Sequence, residues 1–554
     1  MYRKRTKIER FWEILPGATF WFVFLGSIWL SINAPVAASI FIIAFDFYFL
    51  LKAANNSMHL TWSYRMFKLL VRLDWGRRLE ALNHPKQYIA ELRKQAESSD
   101  ARFARNYYNG EAERVHTYLA KHGSIQDYKD FYHLVVLPFV DETFEVLDST
   151  FHALSRVAYP LDRILIVLAA EERAGLSAIQ TSERVQEKYG TTFARLFITF
   201  HPDGLPGEIK GKSANASYAV KSILPDLEAM GVPIEKVLVA NLDSDTVVHP
   251  QYFARVMYEF LTVENPYRKS FQPITVFNNN IWDSPALIRV VSVSSAFWLF
   301  TESSRTDRLR TFSSHSMSLK ALTEVGFWKP DIVNEDAYIY WQSYIHYKGD
   351  YHVVPLFIPV SMDTCLAPTF IQTLKNQYKQ KRRWAYNVEY YPHMMWKLIT
   401  LEAPWHDKAR KIWQYVEGNF NWATASLLIT LGGLMPLYLG GSEFLNSVTA
   451  FQLPFLTKWI LRISMIFLIF SIYINHVLLP PRPSHVSVWK SITMYLQWFL
   501  VPITSILFGS LPAIEAQTRL MMGWYLEFFV TPKARKGENT GLSMKEMQAS
   551  HLDS

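Results

Sequence analysis

Val237-Leu-Val-Ala-Asn-Leu-Asp-Ser-Asp-Thr-Val-Val-His-Pro250 decides the fold. Six mostly apolar residues run directly into two carboxylates, Asp243 and Asp245, and Pro250 opens a new helical pattern. An apolar run bounded in this way reads as a strand buried on both faces, as in parallel sheets. In open α/β sheets ligands bind beyond the carboxyl ends of such strands. Asp243 and Asp245 are therefore expected at the lip of a crevice. Two carboxylates one residue apart offer hard oxygen ligands suited to Mg2+ or Mn2+. Taken alone, Asp-x-Asp is as readily a solvated turn, and the surrounding chain decides between the two.

Upstream, from Phe131, apolar runs at 132–139, 163–170 and 195–200 alternate with helical patterns at 141–156 and 177–189. This is the pattern of a doubly wound α/β domain. Each strand end carries acids: Asp141 and Glu142, then Glu171 and Glu172, then Asp243 and Asp245. Repetition at one edge is stronger evidence for a site than any single pair. Gly207-Glu-Ile-Lys-Gly-Lys-Ser213 is one residue too short for a phosphate loop. Lys210 and Lys212 at a helix start either hold an anion or are solvated.

Downstream, Glu335 and Asp336 begin an amphipathic helix, where capping and dipole pairing alone would account for them. In Gln377-Tyr-Lys-Gln-Lys-Arg-Arg-Trp384 three adjacent cations precede a tryptophan. Such a run is a solvated or membrane-facing turn, or a grip on phosphate by Arg beside a flat aromatic face for a sugar ring.

Of the 554 residues, 50% are apolar and only 19% charged, against about a quarter charged in soluble domains. The balance fits a soluble part averaged with membrane spans. Net charge is +8 and the pI about 9.1, which suits anionic lipid or an anionic substrate. The basic residues are spread out and no zinc-finger or RNP pattern occurs, so nucleic acid is not expected as a partner. Cys365 is the lone cysteine, which excludes a disulfide framework and a Cys-type metal site.

Residues 14–32 carry no charge and are long enough for a bilayer, which needs about 20 helical residues. Asn33-Ala-Pro35 turns the chain, and 36–51 returns with one charge, Asp46. A carboxylate in lipid costs roughly 3 kcal/mol, so Asp46 is expected against another helix, the cytoplasmic boundary or a polar path. Arg3, Lys4, Arg5, Lys7 and Arg10 place the N-terminus in the cytoplasm. Residues 52–130 are polar with helical spacing, and lie on the membrane surface or against the soluble domain. Later, 420–441 and 491–514 are uncharged, 459–479 contains only Arg462, and 515–529 is amphipathic. The expected division is two spans in 1–52, a helical linker in 53–130, a catalytic domain in 131–400, interfacial helices and spans in 401–530, and a polar tail, expected to be disordered, in 531–554.

In this order the features resemble membrane-type family 2 glycosyltransferases, such as cellulose synthase, hyaluronan synthase and ceramide glucosyltransferase. The family pattern is an acidic strand end, D-x-D, E-D and Q-x-x-R-W. Here these are Glu171/Glu172, Asp243-Ser-Asp245, Glu335-Asp336 and Gln380-Lys-Arg-Arg-Trp384, and the likeness covers about Phe131 to Trp384. Lys210-Gly-Lys-Ser-Ala-Asn215 looks like the family's Lys-rich segment. Phe528-Phe-Val-Thr-Pro-Lys533 is similar to the F-x-V-T-x-K gating loop of cellulose synthases, through Phe528, Val530, Thr531 and Lys533.

The resemblance implies a GT-A α/β domain between N- and C-terminal transmembrane helices. It implies Glu142 and Glu172 near a nucleotide base, Lys212 and Asp243 on the nucleotide, and Asp245, with Asp243, on Mg2+ or Mn2+. Gln380 and Arg383 would contact a diphosphate, Trp384 would stack on the acceptor sugar, and Asp336, beside Glu335, would be the general base. The donor would be a UDP-sugar and the acceptor a glycan or a lipid. The protein would build and export a β-linked polysaccharide from the cytoplasmic face of the plasma membrane, the alternative being transfer of one sugar to a membrane lipid. The physics agrees: a departing nucleoside diphosphate needs cations, and an acceptor hydroxyl needs a carboxylate to take its proton.

Three departures stand out. Glutamates replace the usual paired aspartates at the second strand, Ala-Tyr-Asn follows Trp384 where relatives often have glycine, and 52–130 has no family counterpart. Topology adds a conflict. Two early and three later spans would leave Phe528 outside, yet Arg482, Lys490, Arg519 and Lys533 around 491–514 favour the cytoplasm. The expectation is that this segment re-enters, bent near Pro502, or that a neighbour does not span.

Overall fold

The computed structural model describes residues 5–484 and 486–530. Helices α1 (Lys7–Asn33) and α2 (Pro35–Leu70) form the first hairpin, α1 opening with a Thr6/Glu9 capping box. The expected domain boundary at residue 52 falls inside α2 and is corrected. Nothing from Val36 to Leu70 is Gly or Pro, so the apolar helix continues without a break into its polar half. Asp46 is buried, within a helix that packs along α18 (Val448–Leu478).

Three further helices follow: α3 (Trp75–Ala81), α4 (Pro85–Glu97) and α5 (Arg102–His122). Trp75, Leu79, Leu92 and Val115 join the same core cluster as the sheet strands. Of the two readings for 52–130, the polar stretch beyond α2 therefore clads the soluble domain.

The domain proper alternates β1 (Tyr132–Pro138), α6 (Phe144–Leu154), β2 (Ile164–Glu171), α7 (Leu176–Tyr189), β3 (Arg195–His201), α8 (Lys212–Ala229) and β4 (Val237–Asn241). Then come β5 (Val247–Val248), α9 (Tyr252–Thr262), β6 (Lys269–Val276), α10 (Ala286–Ser303), β7 (Ser316–Ser318) and α11 (Leu319–Glu324). The last part holds α12 (Glu335–His346), β8 (His352–Ser361), α13 (Phe370–Ala385) and α14 (Tyr390–Ile399). The sheet order is β3-β2-β1-β4-β7-β6-β8-β5. β3, β2, β1 and β4 are parallel, in keeping with the largely apolar, buried runs of β2, β1 and β4. β7 runs antiparallel to β4 and β6, and β5 antiparallel to β8. The sheet is thus mixed, and doubly wound only in its first half, because β5 and β7 are two- and three-residue insertions that no local pattern announced. A mixed sheet of this order, backed by helices, fits the GT-A domain that the resemblance implies.

After the domain, α15 (Trp405–Leu431) leads through the short α16 (Met435–Leu439) and α17 (Gly441–Leu445) to α18. Then α19 (Val488–Leu496), a turn, α20 (Val501–Ser505), a π-turn at Ile506–Ser510 and α21 (Leu511–Met522) follow. Five segments are long and apolar enough to cross a membrane: Lys7–Asn33, Pro35–Leu70, Trp405–Leu439, Val448–Leu478 and Val488–Met522.

The fifth differs from the others. Near its start, Met494 packs with Ile281 and Trp282, and the Trp282 indole donates to the Pro480 carbonyl at 3.1 Å. Further along, Arg289 donates to Gln497 at 2.7 Å and Trp498 stacks on Phe297 of α10. At its end, Glu515 holds Arg382 of α13, and Arg10 of α1 donates to the Leu520 carbonyl. Both ends meet the catalytic domain, and the break spans 497–510, around Pro502.

Candidate active site

The register of the mixed sheet half assembles the site. Val247 pairs with Ser361, which carries the chain leaving β8 onto the Asp-x-Asp loop. The Asp363 backbone N–H donates to Asp245 Oδ2 at 2.9 Å, and Asn279 bridges the Asp245 carbonyl (3.0 Å) and Asp363 Oδ1 (2.9 Å). The loop entering β7 delivers Ser313, whose hydroxyl donates to Asp243 Oδ2 at 2.7 Å. Lys212, the first residue of α8, donates to Asp243 Oδ1 at 2.6 Å and lies 3.5 Å from Glu335 Oε1. Asp243, Asp245, Lys212, Glu335 and Asp336 thus converge on one cavity of about 890 Å³.

Glu335 and Asp336 open α12, and that opening is clamped. Buried Glu389 accepts the Val333 and Asn334 N–H groups (2.9 and 3.2 Å), and Asn334 donates to the Arg383 carbonyl at 2.8 Å. The start of α12 is therefore tied to the end of α13. Burial pushes the Glu335 carboxyl up to about 7, against the opposing pull of Lys212. Asp336 is raised by the same cause, as desolvation disfavours a charged carboxylate.

The three adjacent cations of α13 point three ways. Lys381 is buried, donates to Ser295 Oγ at 2.6 Å, and sits 4.4 Å from the Trp384 ring centre. Burial lowers its ammonium to about 7. Arg382 pairs with Glu515 of α21 at 2.6 Å. Arg383 lies over the Phe528 ring at 4.6 Å, with its buried Nε lacking a hydrogen-bond partner. Trp384 and Gln380 line the cavity, Gln380 accepting from Gln377 at 3.0 Å. Gly211 explains how Phe528 fits: a Cβ there would come within 2.8 Å of its ring. Phe528 and Val530 reach the cavity, while Thr531 and Lys533 lie outside the described residues.

The structure separates two pairs that the sequence left together, Glu171 from Glu172 and Lys210 from Lys212. Glu172 is exposed on the turn that follows β2, whereas Glu171, the last residue of that strand, is buried against Arg173 and lines the cavity. Lys210 pairs with Asp203 at 2.8 Å on the surface. Glu142 stays at the rim, accepting from the Val140 N–H and the Ser244 hydroxyl. Asp363, Asn279, Ser313 and Glu389 were missed. Asp363 closes a buried strand end, the signal that had flagged the other acids.

Among the described residues no group of three His, Cys, Asp or Glu stands close enough to hold a metal. The donor set at Asp243 and Asp245 nonetheless suits a hard cation that keeps water or ligand oxygens, as Mg2+ does. The pair fits such an ion held jointly with a bound ligand, and does not form a cage of its own.

Residues 238–513 match the family model described as Glycosyl transferase family group 2. No curated protein matches the chain. Among solved structures, a mannosyltransferase from Pyrobaculum calidifontis in complex with GDP-Man and Mn2+ is 13% identical, with a TM-score of 0.38, covering 73% of this chain and 98% of its own. S. aureus TarS 1-349 in complex with UDP-GlcNAc is 12% identical, with a TM-score of 0.33, covering 62% and 91%. Glucosyl-3-phosphoglycerate synthase from Mycobacterium tuberculosis is 12% identical, with a TM-score of 0.27, covering 47% and 78%.

Proposed function

We propose, from the premise that this chain is a glycosyltransferase with a family 2 domain over residues 238–513, that it moves a sugar from a nucleotide-sugar to an acceptor hydroxyl with inversion. The observation that carries the reading is the convergence of Asp243, Asp245, Asp336, Arg383 and Trp384 on one cavity. Asp243 and Asp245 would hold Mg2+ or Mn2+, which when bound offsets the charge of the donor diphosphate. Lys212, Gln380 and Arg383 supply the remaining polar contacts to that diphosphate, and Glu142 and Glu171 lie toward the base. Trp384 stacks the acceptor sugar. Asp336, with its proton affinity raised by burial, takes the hydroxyl proton as the hydroxyl oxygen bonds to the anomeric carbon and the nucleoside diphosphate leaves from the opposite face. A positioned base of this kind contributes roughly 10²–10⁴-fold.

The product reading is a β-linked polysaccharide, built from a UDP-sugar at the cytoplasmic face of the plasma membrane and exported. Its support is that the cavity continues past Trp384 along α10 to α2 and α15. The second reading, one sugar added to a membrane lipid, has its own support. The fifth apolar segment touches the domain near both its ends, and were it to re-enter, four crossing helices would be left to enclose a path. A panel of labelled nucleotide-sugars on purified protein with Mn2+ or Mg2+, followed by product sizing, tests both. Long products support the polymer, a single-sugar lipid supports the second reading, and no transfer from any donor contradicts the proposal.

A further inference from the structure

The far end of the cavity is cationic, and the transfer chemistry above uses none of it. On α10, Ser295 touches Lys381 near Trp384, and Glu302 lies seven residues further on, with Arg305 in the loop just past the helix end. At about 1.5 Å per residue Glu302 sits roughly 10 Å along the helix from Ser295. There Lys52 of α2, Arg305, Arg308 and Arg310 line the cavity. They meet two carboxylates. Glu302 takes Arg305 at 3.3 Å and Arg308 at 3.4 Å, and Glu417 of α15 takes Lys52 and, at 3.8 Å, Arg308. Arg305 also donates to Asn56 at 2.7 Å. Asp307, on the outer side, is held by Gln414 and Arg410.

Four cations against two carboxylates leave an excess of positive charge. Arg310 rests over the Trp341 and Tyr415 rings at 5.5 Å and has no carboxylate partner among the described residues. The buried Nε of Arg305 has no hydrogen-bond partner, whereas Arg308 Nε faces Glu302 at 3.4 Å. A buried guanidinium N–H without an acceptor carries a desolvation cost that an anion would relieve. The lobe also lies where α2 and α15 pass into their apolar stretches. Phe47 and Leu51 on α2 and Trp413 on α15 are exposed beside it, as residues facing lipid would be. Arg clusters with open N–H groups match phosphate oxygens.

We propose that this lobe, where α2 meets α15, binds the phosphate of an anionic membrane lipid. The site stands apart from the carboxylate end, and under the polymer reading it borders the path that the product would take. The test employs the full chain in neutral detergent with fluorescent phosphatidylglycerol, fluorescent phosphatidylcholine as control, and inorganic phosphate as competitor. Phosphatidylglycerol should bind at least about tenfold more tightly than phosphatidylcholine. Arg310→Gln and Arg308→Gln should each remove most of that preference, and Arg310→Lys should keep part of it. UDP binding, measured on the same samples, should be unchanged and shows that the variants are folded and that the donor site is separate. Competition by millimolar inorganic phosphate assigns the affinity to the phosphate alone. Its absence, with the preference intact, assigns it to phosphate carried on a lipid. Either result supports a phosphate site. Equal binding of the two lipids, or a preference that survives both glutamine variants, overturns it.

Discussion

One cavity has two ends of opposite character. At the first, Glu142, Glu171, Asp243, Asp245, Glu335, Asp336 and Asp363 outnumber Lys212 and Arg383. At the second, Lys52, Arg305, Arg308 and Arg310 outnumber Glu302 and Glu417. The difference is instructive because both ends are assigned a phosphate-bearing ligand. The carboxylate end repels a diphosphate unless a divalent cation arrives with it, whereas the cationic end needs no such help.

Metal removal separates the two most strongly. Chelation should cut sugar transfer by about 10³-fold or more while phosphatidylglycerol binding stays within twofold of its starting value, about the spread expected of unlinked sites. Calorimetry sharpens the same contrast, since Mn2+ should bind appreciably only when UDP is present. Tight Mn2+ binding to the chain alone would contradict a site that lacks its own cage.

The pH response comes next. Glu335 is raised to about 7 and Asp336 is raised with it, and a base must be unprotonated to act. The rate kcat/KM should therefore fall as pH drops, about tenfold per unit, with the fall beginning above the ordinary carboxylate range. A profile flat down to about pH 5, near ordinary carboxylate values, would break the assignment.

The two ends were unequally legible in the sequence. Asp243, Asp245, Glu335 and Asp336 stand at strand ends and a helix start, so local patterning located them. Asp363 and Ser313 reach the same spot only through the antiparallel pairings of β5 and β7, strands too short to leave a period. The cationic end draws on α2, α10, the loop after it and α15, more than 350 positions apart at its extremes (52 to 417), and no window of sequence contains it. The apolar segments show the same limit. α18 and 488–522 are both apolar enough to cross a membrane, yet the apolar window of α18 buries nothing while a third of that in 488–522 is buried. Composition reports an apolar environment without saying whether lipid or protein provides it, and the break around Pro502 was the only local sign.

Smaller effects test the connection between the ends. Lys381 sits between them with its ammonium lowered to about 7 by burial. The native state then binds fewer protons than the unfolded state between about pH 7 and pH 10.5, so stability rises with pH there. Lys381→Met should raise Tm more at about pH 6 than at about pH 9, where that cost has partly faded. An equal shift at both would deny the buried charge. Least of all, Glu515→Gln should loosen α21 from Arg382 and raise KM for the acceptor only two- to threefold, since a half-exposed pair is worth about 1 kcal/mol or less.

The central claim is that Asp336 takes the acceptor proton at the carboxylate end. Single-turnover transfer by Asp336→Asn, with UDP–Mn2+ affinity measured on the same preparation, tests it most directly. The account predicts transfer slower by at least about 10²-fold with nucleotide affinity nearly unchanged. Transfer at the wild-type rate would contradict it.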